Sequence, residues 1–326
     1  MYKYKIAGFT ANKAVIESEV KETINPEDVR GFLDKYSVTW LDCAGLTEKE
    51  TDEVGRLFGF HKLCMEDCSH FPQRPKIDDY KDYFFMVIKE IEYRKEVRAN
   101  QVSIFVGKNY IVTIREKPGD LFQHIFERIA EKSPKFEDKS SDYVCYLVID
   151  RVVDGYIPIL EVIEDEIEVV EKDILGDVSK ETLKKIFKLK KDLLMLRKII
   201  IPTREMLLYF EREDLPNMND KTRVYLRDVY DHIITATELI DTYRELTSGT
   251  IESYLSTLSN SINSVVKVLT VLASLALVPT LIASIYGMNF EFMPELHWKY
   301  GYPFALALML LTTVIMLTYF KRKKWI

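Results

Sequence analysis

The sequence predicts an α/β domain followed by a long helical stalk and a C-terminal two-helix transmembrane hairpin. Three observations carry that prediction. Two uncharged apolar runs, Val268–Met288 and Tyr302–Phe320, close the chain, each long enough to cross about 30 Å of hydrocarbon as a helix. The first 117 residues mix strand and helix signals, and from Ser141 onward the apolar residues recur with a helical period. Three regions follow: residues 1–135, residues 141–264, and residues 265–326, the last divided into a first helix over about 265–287, an outer loop 288–301, a second helix over about 302–320 and a basic tail 321–326.

In the first region Tyr4-Lys5-Ile6, Ala14-Val15-Ile16 and Val38-Thr39-Trp40-Leu41-Asp42 read as strand pieces. Thr47 and Glu50 have the spacing of a capping box, which opens a helix through Leu57. Tyr83–Ile91, dense in aromatic and branched side chains, reads as a central strand. Gln101–Val106 and Tyr110–Arg115 flank Gly107-Lys108-Asn109 and predict a hairpin, with a helix from Asp120 to about Glu131 behind it.

In the second region Leu160, Ile163, Ile167 and Val170 form an apolar seam among acids. After the turn signal Leu175-Gly176-Asp177, Leu183, Ile186, Leu189 and Leu193 form a seam among lysines. These two stretches predict an antiparallel hairpin of one acidic and one basic arm, opposite charges setting its register. Pro202 and Leu215-Pro216-Asn217 are expected to break or kink the helices that hold them. Beyond them, Lys221–Tyr286 reads as one rod of roughly 100 Å at 1.5 Å per residue. A helix that long needs partners for its seams, and two membrane rods cannot enclose a pathway, so the chain is expected to act as a homo-oligomer in a lipid bilayer.

Charge narrows the function classes. The net charge is -6 and no basic tract precedes the last six residues, which argues against nucleic acid as a partner. Nothing matches a dinucleotide fingerprint, a phosphate-binding loop, a zinc-protease helix or a serine elbow, so neither a nucleotide nor an enzymatic step is expected. Four cysteines do not make a disulfide framework, and Met1–Phe9 has no secretory-signal pattern. Lys321-Arg322-Lys323-Lys324 touches the second apolar run, and positive flanks stay inside. Both termini are therefore expected in the cytoplasm of a twice-crossed cell membrane. His61, Cys64, Cys68 and His70 offer four soft ligands within ten residues, but not at zinc-finger spacing; buried structural cysteines are the expectation there.

The segment Tyr286-Gly287-Met288-Asn289-Phe290, directly after the first of two C-terminal membrane helices and followed by Met293-Pro294-Glu295-Leu296, resembles the signature of the CorA family of divalent-cation channels. Gln73-Arg74-Pro75-Lys76, Arg227-Asp228-Val229-Tyr230-Asp231-His232 and the basic tail extend the resemblance over most of the chain. It implies a funnel-shaped homopentamer whose first membrane helices line a pore for Mg2+, with Co2+ or Ni2+ passing as well. The filter would be Gly287, Met288 and Asn289. Gly287 could end the helix in a left-handed conformation, and Asn289 would offer an uncharged oxygen to the hydrated ion, whose water shell leaves reluctantly.

Asn263, Val266, Thr270, Leu277, Thr280 and Ser284 lie near one helical stripe. The resemblance makes Val266 and Leu277 hydrophobic constrictions and Thr280 an ion-binding hydroxyl ring. It likewise makes Asp228 a sensor for intracellular Mg2+, paired with Asp82, or else Asp79, of a neighbouring subunit. Glu291 and Glu295 would concentrate cations at the mouth. The stripe holds no acid, which disfavours proton coupling. Two other readings remain at this point: a zinc transporter of the same superfamily driven by a proton gradient, and a non-conducting membrane scaffold.

Overall fold

The computed structural model describes residues 3–10, 13–70, 72–130, 140–176, 179–213, 215–291 and 293–325. Glu131, Asp177 and the end of the 1–135 region lie outside the described residues. The chain forms two compact units: Met1–Lys172 with Lys180–Thr250, and Asp173–Ser179 with Ile251–Ile326.

The first unit is built on a seven-stranded sheet. Its strands are β1 (Tyr4–Thr10), β2 (Lys13–Lys21), β3 (Val38–Ala44), β4 (Lys76–Asp79), β5 (Tyr83–Tyr93), β6 (Val97–Gly107) and β7 (Tyr110–Arg115), in the spatial order β2-β1-β3-β7-β6-β5-β4. Every neighbouring pair is antiparallel except β3 and β7, which run parallel with Leu41 opposite Val112. The expected central strand Tyr83–Ile91 is thus second from the edge. It looks central because helices cover both faces: Phe84 through Ile88 are fully buried, so no alternation of polar residues marks an outer side. The β6–β7 turn is the predicted one, and Gly107 is required there because a Cβ would stand 2.4 Å from the Tyr110 ring.

Helices α1 (Pro26–Lys35), α2 (Glu48–Phe58) and α3 (Lys62–Ser69) cover one face. Asn25 caps α1, accepting from the Glu27 N–H ahead of Pro26, a start signal the sequence reading passed over. The Thr47–Glu50 box is formed, and Gly59 closes α2 in the left-handed region at φ 70°. Val29, Phe32, Val54, Cys64, Met65 and Cys68 then pack on Leu41, Phe85, Phe105 and Val112.

The other face carries α4 (Gln123–Ala130) and α5 (Ser141–Asp154). Trp40 stacks on Phe126 at 3.9 Å between ring centroids, and its Nε1–H donates to the Thr113 hydroxyl. That hydroxyl donates to Asp42, whose carboxylate also pairs with the Arg115 guanidinium at 2.8 Å, both groups almost wholly buried.

The expected charged hairpin is α6 (Tyr156–Gly176) and α7 (Lys180–Arg212). Ile163, Ile167 and Val170 of α6 and Ile186, Leu189 and Leu193 of α7 are buried, and Lys188 pairs with Glu166 at 3.0 Å beside the Tyr93 hydroxyl. Pro202 does not break α7, which continues ten residues past it. Thr203 donates to the Ile199 carbonyl and Pro202 itself is buried.

Helix α8 (Asp220–Tyr286) is one element of 67 residues, and a 3-10 turn at Pro294–His297 leads to α9 (Gly301–Arg322). The most apolar windows of α8 and α9 are only 6% and 11% buried. A soluble protein would hide such helices in its core, whereas apolar surface exposed all round is matched to hydrocarbon. The chain is a two-pass membrane protein.

Candidate functional site

The membrane end of α8 carries the motif residues. The Gly287 N–H donates to the Ala283 carbonyl at 3.0 Å and the Met288 N–H to Ile285 at 3.2 Å, so the helix tightens into a last short turn. The expected left-handed exit at Gly287 is not used, since its φ is not in the positive region. The short i→i+3 bond already accommodates a carbonyl that a left-handed cap would otherwise have satisfied. Asn289 follows, exposed, and its side-chain amide makes no hydrogen bond among the described residues. Glu291 and Glu295 are also exposed, without an ion pair among the described residues. Gly301 is fixed by crowding, because a Cβ there would meet the Glu295 carbonyl oxygen at 2.1 Å.

Asn263, Val266, Thr270, Leu277, Thr280 and Ser284 all lie within α8 and all are exposed. At 3.6 residues per turn they span an arc of about 100°. Thr270 and Thr280 each donate to the carbonyl four residues back, Val266 and Ala276, at 2.7 Å. Each hydroxyl oxygen keeps a lone pair to offer along that stripe.

A second constellation lies in the first unit. Asp150 and Asp154, one turn apart on α5, meet His232 of α8, and one ligand atom from each lies within 4.8 Å of the other two. His232 Nδ1 stands 3.4 Å from Asp154 Oδ1. Burial pushes Asp150 up to about 6, and the Asp154 charge pushes the same way; His232 and Arg128 pull it back, while Asp228 pushes it up again. Asp228, the sensor candidate, sits one helical turn before His232, so it faces the same acidic neighbourhood without belonging to the three-residue group. A cation set among these carboxylates relieves their mutual repulsion. Carboxylate oxygens with one imidazole suit a hard divalent ion such as Mg2+ and also admit Co2+ or Ni2+.

His232 lies within the motif Arg227–His232, whereas Asp150 and Asp154 stand about 80 positions earlier in the chain and belong to no motif. Their only local signal is an i, i+4 acid pair on a helix that is otherwise largely apolar. Asp79 ends β4, and Asp82 lies in the β4–β5 turn with its carbonyl accepting from Asn217. Neither is part of the acid–histidine group.

The soft-ligand cluster does not assemble. Cys64 and Cys68 are buried under α2 and β5, the Cys64 thiol donating to the Tyr80 hydroxyl. His61 caps α3 and His70 bonds back to the Glu66 carbonyl.

These features define a class: a two-pass membrane protein whose α/β unit bears an acid–histidine constellation and whose long helix ends in a free amide. The family of CorA-like Mg2+ transporter proteins matches residues 35–322, and the chain belongs to that family. The cobalt/magnesium transport protein CorA of Thermotoga maritima is 41% identical over 319 residues, 97% of this chain and 91% of that protein. The complete CorA magnesium transporter of Methanocaldococcus jannaschii shares the fold at a TM-score of 0.84 and 22% identity, covering 100% of this chain and 99% of that one. The ZntB cytoplasmic domain of Vibrio parahaemolyticus aligns at a TM-score of 0.60 and 16% identity, covering 80% of this chain and 100% of that domain.

Proposed function

We propose that the chain is a channel-like magnesium transporter, not an enzyme, that admits hydrated Mg2+ passively and also passes Co2+ or Ni2+. Five copies would form a funnel, with both termini in the cytoplasm and the first membrane helices around the axis. Supporting this reading are membership in the transporter family and the 41% identity to a cobalt/magnesium transport protein. The observation that carries it is the unbonded Asn289 amide at the end of α8. A ring of such amides would hydrogen-bond to the outer face of the ion's water shell without stripping it. Thr280 and Ser284 would continue a polar path, while Val266 and Leu277 would close it by dewetting. Two charges falling through 100 mV release about 4.6 kcal/mol, so inward flow needs no other driving force.

Gating would come from the acids. Asp228 of one subunit would oppose Asp82 or Asp79 of the next, with Asp150, Asp154 and His232 beside it holding a cation when intracellular Mg2+ is plentiful. Loss of that ion would restore the repulsion and loosen the contact. The test is Mg2+ entry into liposomes holding an internal magnesium dye. Entry should need no pH gradient and should be abolished in Asn289→Ala; unchanged entry in that variant would remove Asn289 from the filter, and absent entry in the parent protein would leave a scaffold.

A further inference from the structure

Lys89 is a cation without a counter-ion inside the α/β unit. It stands on β5 opposite Gln101, only 3% exposed, and its Nζ donates to Gln101 Oε1 at 3.0 Å. No described carboxylate lies within 4.0 Å of it. An ammonium group has three protons to place, and burying it unpaired is among the costlier choices a fold can make. Desolvation lowers its pKa to about 8, with the more distant Glu116 pulling only partly back.

The surroundings suggest why a lysine is kept there. Lys89 lines a cleft of about 620 Å³ between the Pro72–Pro75 segment, the ends of β5 and β6, and the middle of α7. Three more cations, Arg74, Arg197 and Lys198, line the same cleft, and no acid does among the described residues. Arg74 and Arg197 turn to carboxylates beyond the lining, Glu205 at 2.8 Å and Asp241 at 3.7 Å, and the Arg197 Nε is buried with no hydrogen-bond partner. Lys198 is exposed and unpaired among the described residues. Between the cations the walls are aliphatic, with Leu194, Met195 and Ile201 on the α7 side.

Two lysines without a described carboxylate, Lys89 buried and Lys198 exposed, beside an aliphatic wall are complementary to an anion that carries an apolar chain. We propose that this cleft binds a small amphiphilic anion, a carboxylate on an aliphatic chain, whose head pairs with Lys89 and whose tail lies along Leu194, Met195 and Ile201. The head would accept the two N–H bonds that Gln101 leaves free on Lys89, with the exposed Lys198 adding a second positive charge at the same cleft. The tail would cover Leu194, which is 43% exposed. This proposal is independent of the pore, and its readout does not involve ion flux.

The experiment is a scintillation proximity measurement on the full-length protein in detergent, with radiolabelled octanoate as probe. Saturable binding should be displaced by unlabelled octanoate and not by octanol, its uncharged twin. Lys89→Met, which keeps the apolar stem, should weaken binding about tenfold or more, the scale of one charge-assisted bond. Lys198→Met, at an exposed position that leaves the fold intact, should weaken it about threefold through the loss of one partly screened charge. Equal binding in the parent and both variants, displacement by octanol as effective as by octanoate, or no saturable binding in the parent would each overturn the proposal and leave Lys89 as a structural donor to Gln101.

Discussion

Replacing Asp150 with asparagine separates the electrostatic strain of the acid–histidine constellation from its use. The carboxyl titrates at about 6 instead of its ordinary 3.8. A difference of about two units corresponds to about 3 kcal/mol for a fully desolvated group. Asp150 is only half-buried, so solvent screening reduces that to roughly 1–1.5 kcal/mol. The sign follows from linkage: an acid whose folded pKa is raised opposes folding above that pKa and not below the unfolded value. Stability therefore falls as pH rises from about 4 to about 6.

At pH 7.5 with a chelator present, Asp150→Asn should thus raise the thermal midpoint by a few degrees, about 2–4 °C per kcal/mol for a unit of this size. The same variant should lose most of the rise that Mg2+ confers on the parent, which amounts to about 1.4 kcal/mol at ten times the dissociation constant. Thermal unfolding of the full-length protein in detergent, scanned with chelator and with MgCl2, measures both. In the parent, the Mg2+-dependent rise should fade as pH falls through about 6, because protons then occupy the ligand. A variant that is destabilised in chelator, or that keeps the full Mg2+ response, would refute the argument.

Two further outcomes follow from the α/β unit. Asp42→Ala should destabilise it by about 3–5 kcal/mol, because the buried Arg115 guanidinium would lose its carboxylate; chemical denaturation followed by far-UV circular dichroism would read this. Cys64 and Cys68 should resist a thiol reagent in the native protein and react only on unfolding, since burial pushes both thiols up, Cys68 to about 12.

Local rules made most of the elements readable. The Thr47–Glu50 box, the Lys108–Asn109 turn and the alternating seams of α6 and α7 depend on neighbours within four residues, and they form as expected. Strand order does not depend on neighbours. Nothing in Tyr83–Ile91 says whether one strand or three will pair beyond it, so a fully buried run reads as the middle of the sheet wherever it stands. The site shows the same division. Asn289 and the α8 stripe are candidates by position on or just beyond one helix, whereas Asp150 and Asp154 become candidate ligands only when α5 packs beside His232. At Pro202 tertiary burial overrode a local breaker, and at Gly287 a tightened turn took the place of a left-handed cap.

The lone parallel pairing of β3 with β7 has a consequence for biosynthesis. Those strands are consecutive in space but not along the chain, so β1, β2 and β3 expose an unpaired edge until Arg115 has been made. From there to Val268, where the first membrane-crossing run begins, translation at 5–20 residues per second takes roughly 8–30 s. Pairing of two available strands takes on the order of microseconds. β7 is therefore available to cover the β3 edge well before the ribosome delivers the first lipid-seeking segment, which separates the open edge and the greasy hairpin in time.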